Sequence, residues 1–337
     1  MKMIRIIAWN GPHGAQMQRD WLIALGGGIA SAVLSLGLLT GSGGLALLSY
    51  FAPLPLFAVG FAAGARPVIT AGSIAVVILG LVGGVPSAAV FLGSIMIPSW
   101  IIVYHALSHR LLSNGSAGWY SPGEIASRLA ALGALVVAAI TLSTMGTENG
   151  IEASIRTFIE ASLSQFMPIG ENDPGGEVIS RLVPLFPAFA MLSWLAMLTV
   201  NATIAQGSLV KQGKALRASP HYRAIEAPEW AYWALVGAAA LKLVSSGDVE
   251  FLAQNVTMIL ATPFFFVGLA VIHSLSGRLK SPTVGLTIFY VLLSFMIFSW
   301  LGFAVAALGF AEQWLKLRDL YGSRNRSVMP RNQSEDE

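Results

Sequence analysis

Cysteine is absent from the 337-residue chain, and charge is scarce: Asp, Glu, Lys and Arg make up 11% of it. A soluble domain carries about 25%. The first absence rules out disulfides, thiolate metal sites, cysteine-ligated iron–sulfur clusters and a cysteine nucleophile. The second leaves too few polar side chains to cover a core of this size in water. Recognisable catalytic motifs are also missing. No Walker loop, GxSxG elbow, HExxH pair or paired-carboxylate pattern occurs. The chain is therefore read as a non-enzyme with no catalytic, cofactor-binding or metal-binding residues. Finally, the interiors of the first six apolar runs contain no Asp, Glu, Lys or Arg, since Arg128 and Arg181 stand at run starts. An ionised side chain at mid-bilayer costs at least about 2.5–3.5 kcal/mol and usually marks a relay. Its absence argues against proton-coupled transport.

What the chain does contain is hydrocarbon, 55% of its residues. Apolar runs recur from Trp21 to Ala311, and runs of about 17–25 residues match a hydrocarbon core of about 30 Å. The expected fold is an all-α, polytopic integral membrane bundle of about eight or nine transmembrane segments. Their expected places are 21–39, 44–63, 67–83, 86–107, 126–146, 179–206, 229–246, 256–275 and 283–311. Gly41 to Gly44, Gly64 to Pro67 and Gly83 to Pro86 punctuate the first four. No compact apolar region with a small-residue cleavage site precedes Trp21, so the first span is expected to be retained.

Basic residues in short loops set orientation. Lys2, Arg5 and Arg19, then Arg110, then Lys211, Lys214, Arg217 and Arg223, then Arg278 and Lys280, fall on one side if the N-terminus is cytoplasmic. Glu148, Glu152, Glu160, Glu171, Asp173, Glu177, Asp248 and Glu250 fall on the other. The expected location is the cell (inner) membrane, multi-pass, in contact with the bilayer and not with nucleic acid. The formal net charge of only +3 and its dispersal among loops reflect topology. The alternation fails at 283–311, which is about 44 Å long as a helix. It is either one crossing or a re-entrant pair, and a cytoplasmic tail favours the pair.

The expected organisation has six parts. Residues 1–20 form a cytoplasmic segment and 21–206 a six-helix bundle. An amphipathic outer element lies at 148–167, where Ile151, Ile155, Phe158, Ser162 and Phe166 recur at helical spacing with Ile159 and Leu163 alongside. Residues 207–228 form a basic cytoplasmic loop and 229–311 further membrane helices. An amphipathic interfacial helix occupies 312–321 and a disordered tail 322–337.

Few residues stand out as site candidates. Ala24, Gly28 and Ala32 recur every four residues in "ALGGGIASA", a flat stripe suited to internal packing or to docking another membrane subunit. Asn201, with Thr203 and Gln206, is placed to hydrogen-bond between helices or to touch a ligand. Lys242 is either a counter-charge for an anion or a snorkelling side chain; His273 is a ligand candidate or an interfacial hydrogen-bonding residue. His105 and His109 share the i,i+4 spacing of metal-binding pairs but lack a third ligand. In "LGFAEQWLKLRDLY", Leu308 to Tyr321, the Trp314 indole and the basic Lys316 and Arg318 read as interfacial anchors.

"FFFVGLAVIHSL" (Phe264 to Leu275), the apolar run after it and "LGFAEQWLKLR" (Leu308 to Arg318) resemble the C-terminal pattern of an uncharacterised bacterial family. This is domain of unknown function family 2232, the YybS-like membrane proteins. "APEWAYW" (Ala227 to Trp233) and "LPLFAVG" (Leu54 to Gly60) fit the same resemblance. Where it implies an aspartate before the Gln-Trp pair, this chain has Glu312. The family is similar in fold to the S components of energy-coupling-factor vitamin transporters. The resemblance thus implies an S-component-like arrangement for residues 21–206 and a transporter-subunit partner for the Ala24, Gly28, Ala32 stripe. No vitamin-binding signature can be matched, and the helices after 229 depart from a six-helix component. Two functions are expected on these grounds. One is a small-molecule binding or transport component of unknown ligand. The other is a non-catalytic scaffold or regulatory protein acting through the cytoplasmic loop and the C-terminal amphipathic helix.

Overall fold

The computed structural model describes residues 13–37, 43–111, 117–146, 150–163, 174–296 and 300–322. Glu148, Glu171, Asp173, most of the expected N-terminal segment 1–20 and nearly all of the expected disordered tail 322–337 lie outside them. The chain divides into two compact units, Met1–Tyr120 with Ala196–Ser219, and Ser121–Leu195 with Pro220–Glu337.

In the first unit, α1 (His13–Leu36) is followed by α2 (Gly43–Ser49), α3 (Pro53–Ala63) and α4 (Ala65–Phe91). A π-helical turn (Leu92–Met96) leads into α5 (Ile97–Ala106). Proline in the first turn of α3 costs little, because the first N–H groups of a helix have no helical acceptor. Gly64, at φ 104°, turns the chain from α3 into α4. Gly84, at φ 76°, breaks the apolar stretch Ala65–Ala106. Unbroken, its 42 residues would run about 63 Å, twice the hydrocarbon core. The break falls between the expected third and fourth spans. After α5 come two short antiparallel strands, β1 (His109–Leu111) and β2 (Ala117–Trp119), with His109 opposite Trp119.

Glycine lets α1 approach its neighbours. A Cβ on Gly28 would strike the Ala71 carbonyl oxygen and lie 3.0 Å from the Ile74 Cβ on α4. One on Gly27 would strike the Val59 side chain on α3. Buried Ser31 donates across to the Ala52 carbonyl at 2.7 Å.

The second unit opens with α6 (Pro122–Thr144), started by a capping box in which Ser121 and Glu124 satisfy each other's backbone N–H groups. Next come α7 (Ile151–Leu163), α8 (Pro174–Leu182), a 3₁₀ turn (Val183–Leu185) and α9 (Phe186–Lys211), whose later part belongs to the first unit. Helix α7, within the expected amphipathic element 148–167, turns Ile151 and Ile159 inward and leaves Phe158 exposed. It packs on Ile179 and Val183. Then follow α10 (Glu229–Val244), α11 (Asp248–Ser276), α12 (Pro282–Met296), α13 (Trp300–Leu315) and α14 (Leu317–Gly322). α11 is the central helix. Gly268 and Gly309 bring α11 and α13 into backbone contact, while Phe264 meets Tyr232 and Phe310 edge to face beside them.

Among the described residues, six helical stretches are long and apolar enough to cross a membrane: Met17–Leu36, Gly44–Ala63, Ala65–Ala106, Pro122–Thr144, Gly176–Lys211 and Asp248–Ser276. Large apolar side chains such as Leu81, Val82, Val85 and Leu142 remain exposed along them, as lipid-facing surface requires. Beyond these, the expected crossing 229–246 is the 16-residue α10. Within the run 283–311 the described residues form α12 and α13, and residues 297–299 between them lie outside the described residues. α10 is about 24 Å long, shorter than the hydrocarbon core.

Candidate functional site

The first unit holds an open cleft of about 520 Å³ where the start of α1 meets the turn between α3 and α4. Ligand clefts run from about 300 to 1,000 Å³. The left-handed turn at Gly64 carries Arg66 and Thr70 to one wall, and the first turns of α1 carry Asp20 and Trp21 to the other. Met17, Ala24 and Pro67 supply apolar lining. Asp20 is half-buried, whereas Arg66 and Trp21 are exposed. Among the described residues no ion pair joins Asp20 to Arg66. The cleft thus presents a carboxylate, a guanidinium, a hydroxyl and an indole to one volume. Neither Asp20 nor Arg66 was singled out from the sequence. The available signal was a basic residue inside the Gly64 to Pro67 punctuation between two apolar runs.

Elsewhere in this unit, buried Asn201 donates from Nδ2 to the carbonyls of Tyr50 (2.7 Å) and Met197 (2.8 Å), and its Oδ1 has no partner among the described residues. The Nδ2 group thereby satisfies a carbonyl just past the end of α2. Gln206 donates to the Arg217 carbonyl at 2.6 Å. Arg217 donates to the carbonyls of Ala106 (2.7 Å) and Tyr120 (3.3 Å), and its guanidinium lies 5.0 Å from the Trp119 ring centroid. One cation therefore fastens the middle of the basic loop to α5 and to β2.

In the second unit, Asn255 of α11 is fully buried and fully bonded. Its Oδ1 accepts from the Ala188 N–H at 2.8 Å, and its Nδ2 donates to the carbonyls of Pro184 (3.0 Å) and Phe251 (2.8 Å). Residues 184 and 188 are the pair a continuous helix would bond to each other. The amide is inserted into that gap, splinting the junction between the 3₁₀ turn and α9.

At the C-terminal elbow, Glu312 is 5% exposed. Its carboxylate accepts from Arg318 Nε at 2.7 Å, from the Leu317 N–H at 2.9 Å and from the Arg318 N–H at 3.2 Å. Lys316, at φ 43°, makes the left-handed step that reverses the chain onto its own carboxylate. Arg318 Nη1 donates onward to the carbonyls of Arg223 (3.0 Å) and Ile225 (3.1 Å).

Several expectations change on these positions. The Ala24, Gly28, Ala32 stripe is covered by the chain: Ala24 and Ala32 are buried and Gly28 is against α4. Internal packing uses it. The Arg318 guanidinium is engaged within the chain, where it donates to Glu312 and to two carbonyls. Lys316 is exposed, and Trp314 is exposed with its ring tilted against Phe310 at 4.9 Å between centroids. Lys242 is half-buried in the last turn of α10. His273 Nδ1 lies 2.9 Å from the Leu269 carbonyl and its Nε2 lies 3.3 Å from the Tyr290 hydroxyl, joining α11 to α12. His105 and His109 do not share a helix face: α5 ends at Ala106, and His109 opens β1 against Trp119.

Long apolar helices, sparse buried amides and an enclosed ion pair at the elbow define a polytopic helical membrane protein. Within that class the chain belongs to the family described as predicted membrane protein (DUF2232), whose model matches residues 29–312. No curated protein and no solved structure matches it.

Proposed function

We propose that this membrane protein is a non-catalytic component that binds a small molecule in the cleft between α1 and the α3–α4 turn. The observation that carries the reading is the cleft itself, about 520 Å³ with opposite charges on facing walls. A few convergent polar groups in an otherwise apolar lining are what orients a bound ligand. The protein sits in the cell's inner membrane with its N-terminus cytoplasmic, because Arg19, Arg66 and the basic loop from Lys211 to Arg223 fall on one side of the alternating spans. The cleft then opens towards the cytoplasm. If the bound molecule is moved across the bilayer, the energy comes from a partner subunit, since the chain carries no nucleotide motif.

The test is thermal unfolding of the purified chain in detergent against a panel of small metabolites and lipids. A ligand that binds only the folded state raises stability by RT ln(1 + [L]/Kd). Ala65→Trp, which fills the cleft, should abolish any such shift; a shift that survives it places binding elsewhere and defeats the reading.

A second reading, a scaffold acting through 207–228 and the C-terminal helix, is favoured by one observation. Arg318 fixes the elbow to the carbonyls of Arg223 and Ile225, so the loop and the tail segment present one composed surface. It predicts that Arg318→Ala removes co-purification of a partner while cleft binding survives.

A further inference from the structure

The chemistry of the cleft walls also narrows the class of ligand, given the reading of the cleft as a binding site. We infer that it takes a phosphate–ammonium zwitterion, either the headgroup of a phospholipid or a free phosphorylated amine. Three observations converge. First, Asp20 and Arg66 line the same volume, and among the described residues no ion pair joins them. Two opposite charges held apart over a shared cleft suit a ligand that carries both signs.

Second, the indole of Trp21 is 57% exposed and lines the cleft on the same helix turn as Asp20. An ammonium that reaches the Asp20 carboxylate therefore lies within reach of an aromatic face, the surface that recognises alkylammonium groups. On the opposite wall Arg66 offers a planar fork of N–H donors that matches phosphate oxygens, and the Thr70 hydroxyl adds one more donor.

Third, the cleft lies where candidate spans end. Met17–Leu36 begins at its rim, Gly44–Ala63 ends there, and Ala65–Ala106 begins there. Helix ends of this kind stand at headgroup depth, the layer that indoles and basic side chains favour. A lipid phosphate is already at that height, with Met17, Ala24 and Pro67 lining the apolar side of the cleft.

The experiment uses the full chain in detergent and reads its melting temperature on titration with three probes. These are phosphatidylethanolamine, phosphatidylglycerol and soluble phosphoethanolamine. The expected result is stabilisation by phosphatidylethanolamine well beyond that by phosphatidylglycerol. Arg66→Gln and Asp20→Asn should each weaken it about tenfold or more, the scale of one lost charge-assisted hydrogen bond. Both side chains border open cleft, so the variants should melt like the parent without lipid. Stabilisation by soluble phosphoethanolamine as well assigns a free phosphorylated amine as ligand; stabilisation by the lipid alone assigns the headgroup. Equal stabilisation by phosphatidylglycerol, or insensitivity to both variants, overturns the inference. The cleft reading still stands in that case if Ala65→Trp removes the effect, and falls with it if Ala65→Trp does not.

Discussion

Glu312 holds the guanidinium of Arg318 at 2.7 Å although both lie on one short segment that must double back to bring them together. The carboxylate is nearly closed off, and it also accepts the first N–H groups of α14. Removing one partner of such a pair leaves an uncompensated charge. Glu312→Ala should therefore cost about 3–5 kcal/mol of stability, read as a lowered denaturation midpoint in detergent. Arg318→Lys keeps the charge but not the two-directional fork, and should retain only part of the stability. The double variant Glu312→Ala/Arg318→Ala should lose less than the two single losses added together. Additive losses would mean that the pair is not coupled.

Asn255 should behave as a splint. Asn255→Leu adds apolar volume but strands the Pro184 carbonyl and the Ala188 N–H, at about 1–3 kcal/mol for each unsatisfied group. Hydrogen exchange at Ala188 should rise with the loss of stability. If Asn255→Leu is as stable as the parent, the junction satisfies itself by another route.

The glycines of α1 separate close packing from mere smallness. Gly28 meets the Ala71 carbonyl, while Gly26 has open space around its Cβ position. Gly28→Leu should prevent α1 from seating on α4 and sharply reduce folded yield. Gly26→Ala should be neutral or stabilising by up to about 1 kcal/mol, the helix-propensity difference. Fluorescence-detected size exclusion compares the two directly. A folded, monodisperse Gly28→Leu protein would return the stripe to the surface.

How much of the fold is legible in the sequence depends on how far along the chain each physical signal reaches. Lipid demands long apolar helices, and six of them are where hydrocarbon runs lie. Gly84, two residues before Pro86, marks a break within a local stretch, so the division of 65–106 was visible. The small-residue period at Ala24, Gly28 and Ala32 was equally visible, but a period does not name the surface that covers it. Asn255 fell just outside the expected span 256–275. Its role depends on carbonyl and amide groups at 184 and 188, far away in the chain. Glu312 opens the expected interfacial helix 312–321, and nothing in "EQWLKLR" announces a left-handed Lys316, or the carbonyls of Arg223 and Ile225 as acceptors. The cleft was hidden for a similar reason: Asp20 and Arg66 come to line one volume only after α1 and α4 have packed.

The absence of cysteine makes the most direct measurement simple, because one introduced thiol is the only one in the chain. Thr70→Cys places it in the cleft wall, where a membrane-impermeant maleimide tests both openness and side. Modification is expected in inverted inner-membrane vesicles but not in intact cells, and it should be lost when Ala65→Trp fills the cleft. Labelling of intact cells from outside, or no labelling of inverted vesicles, would contradict it.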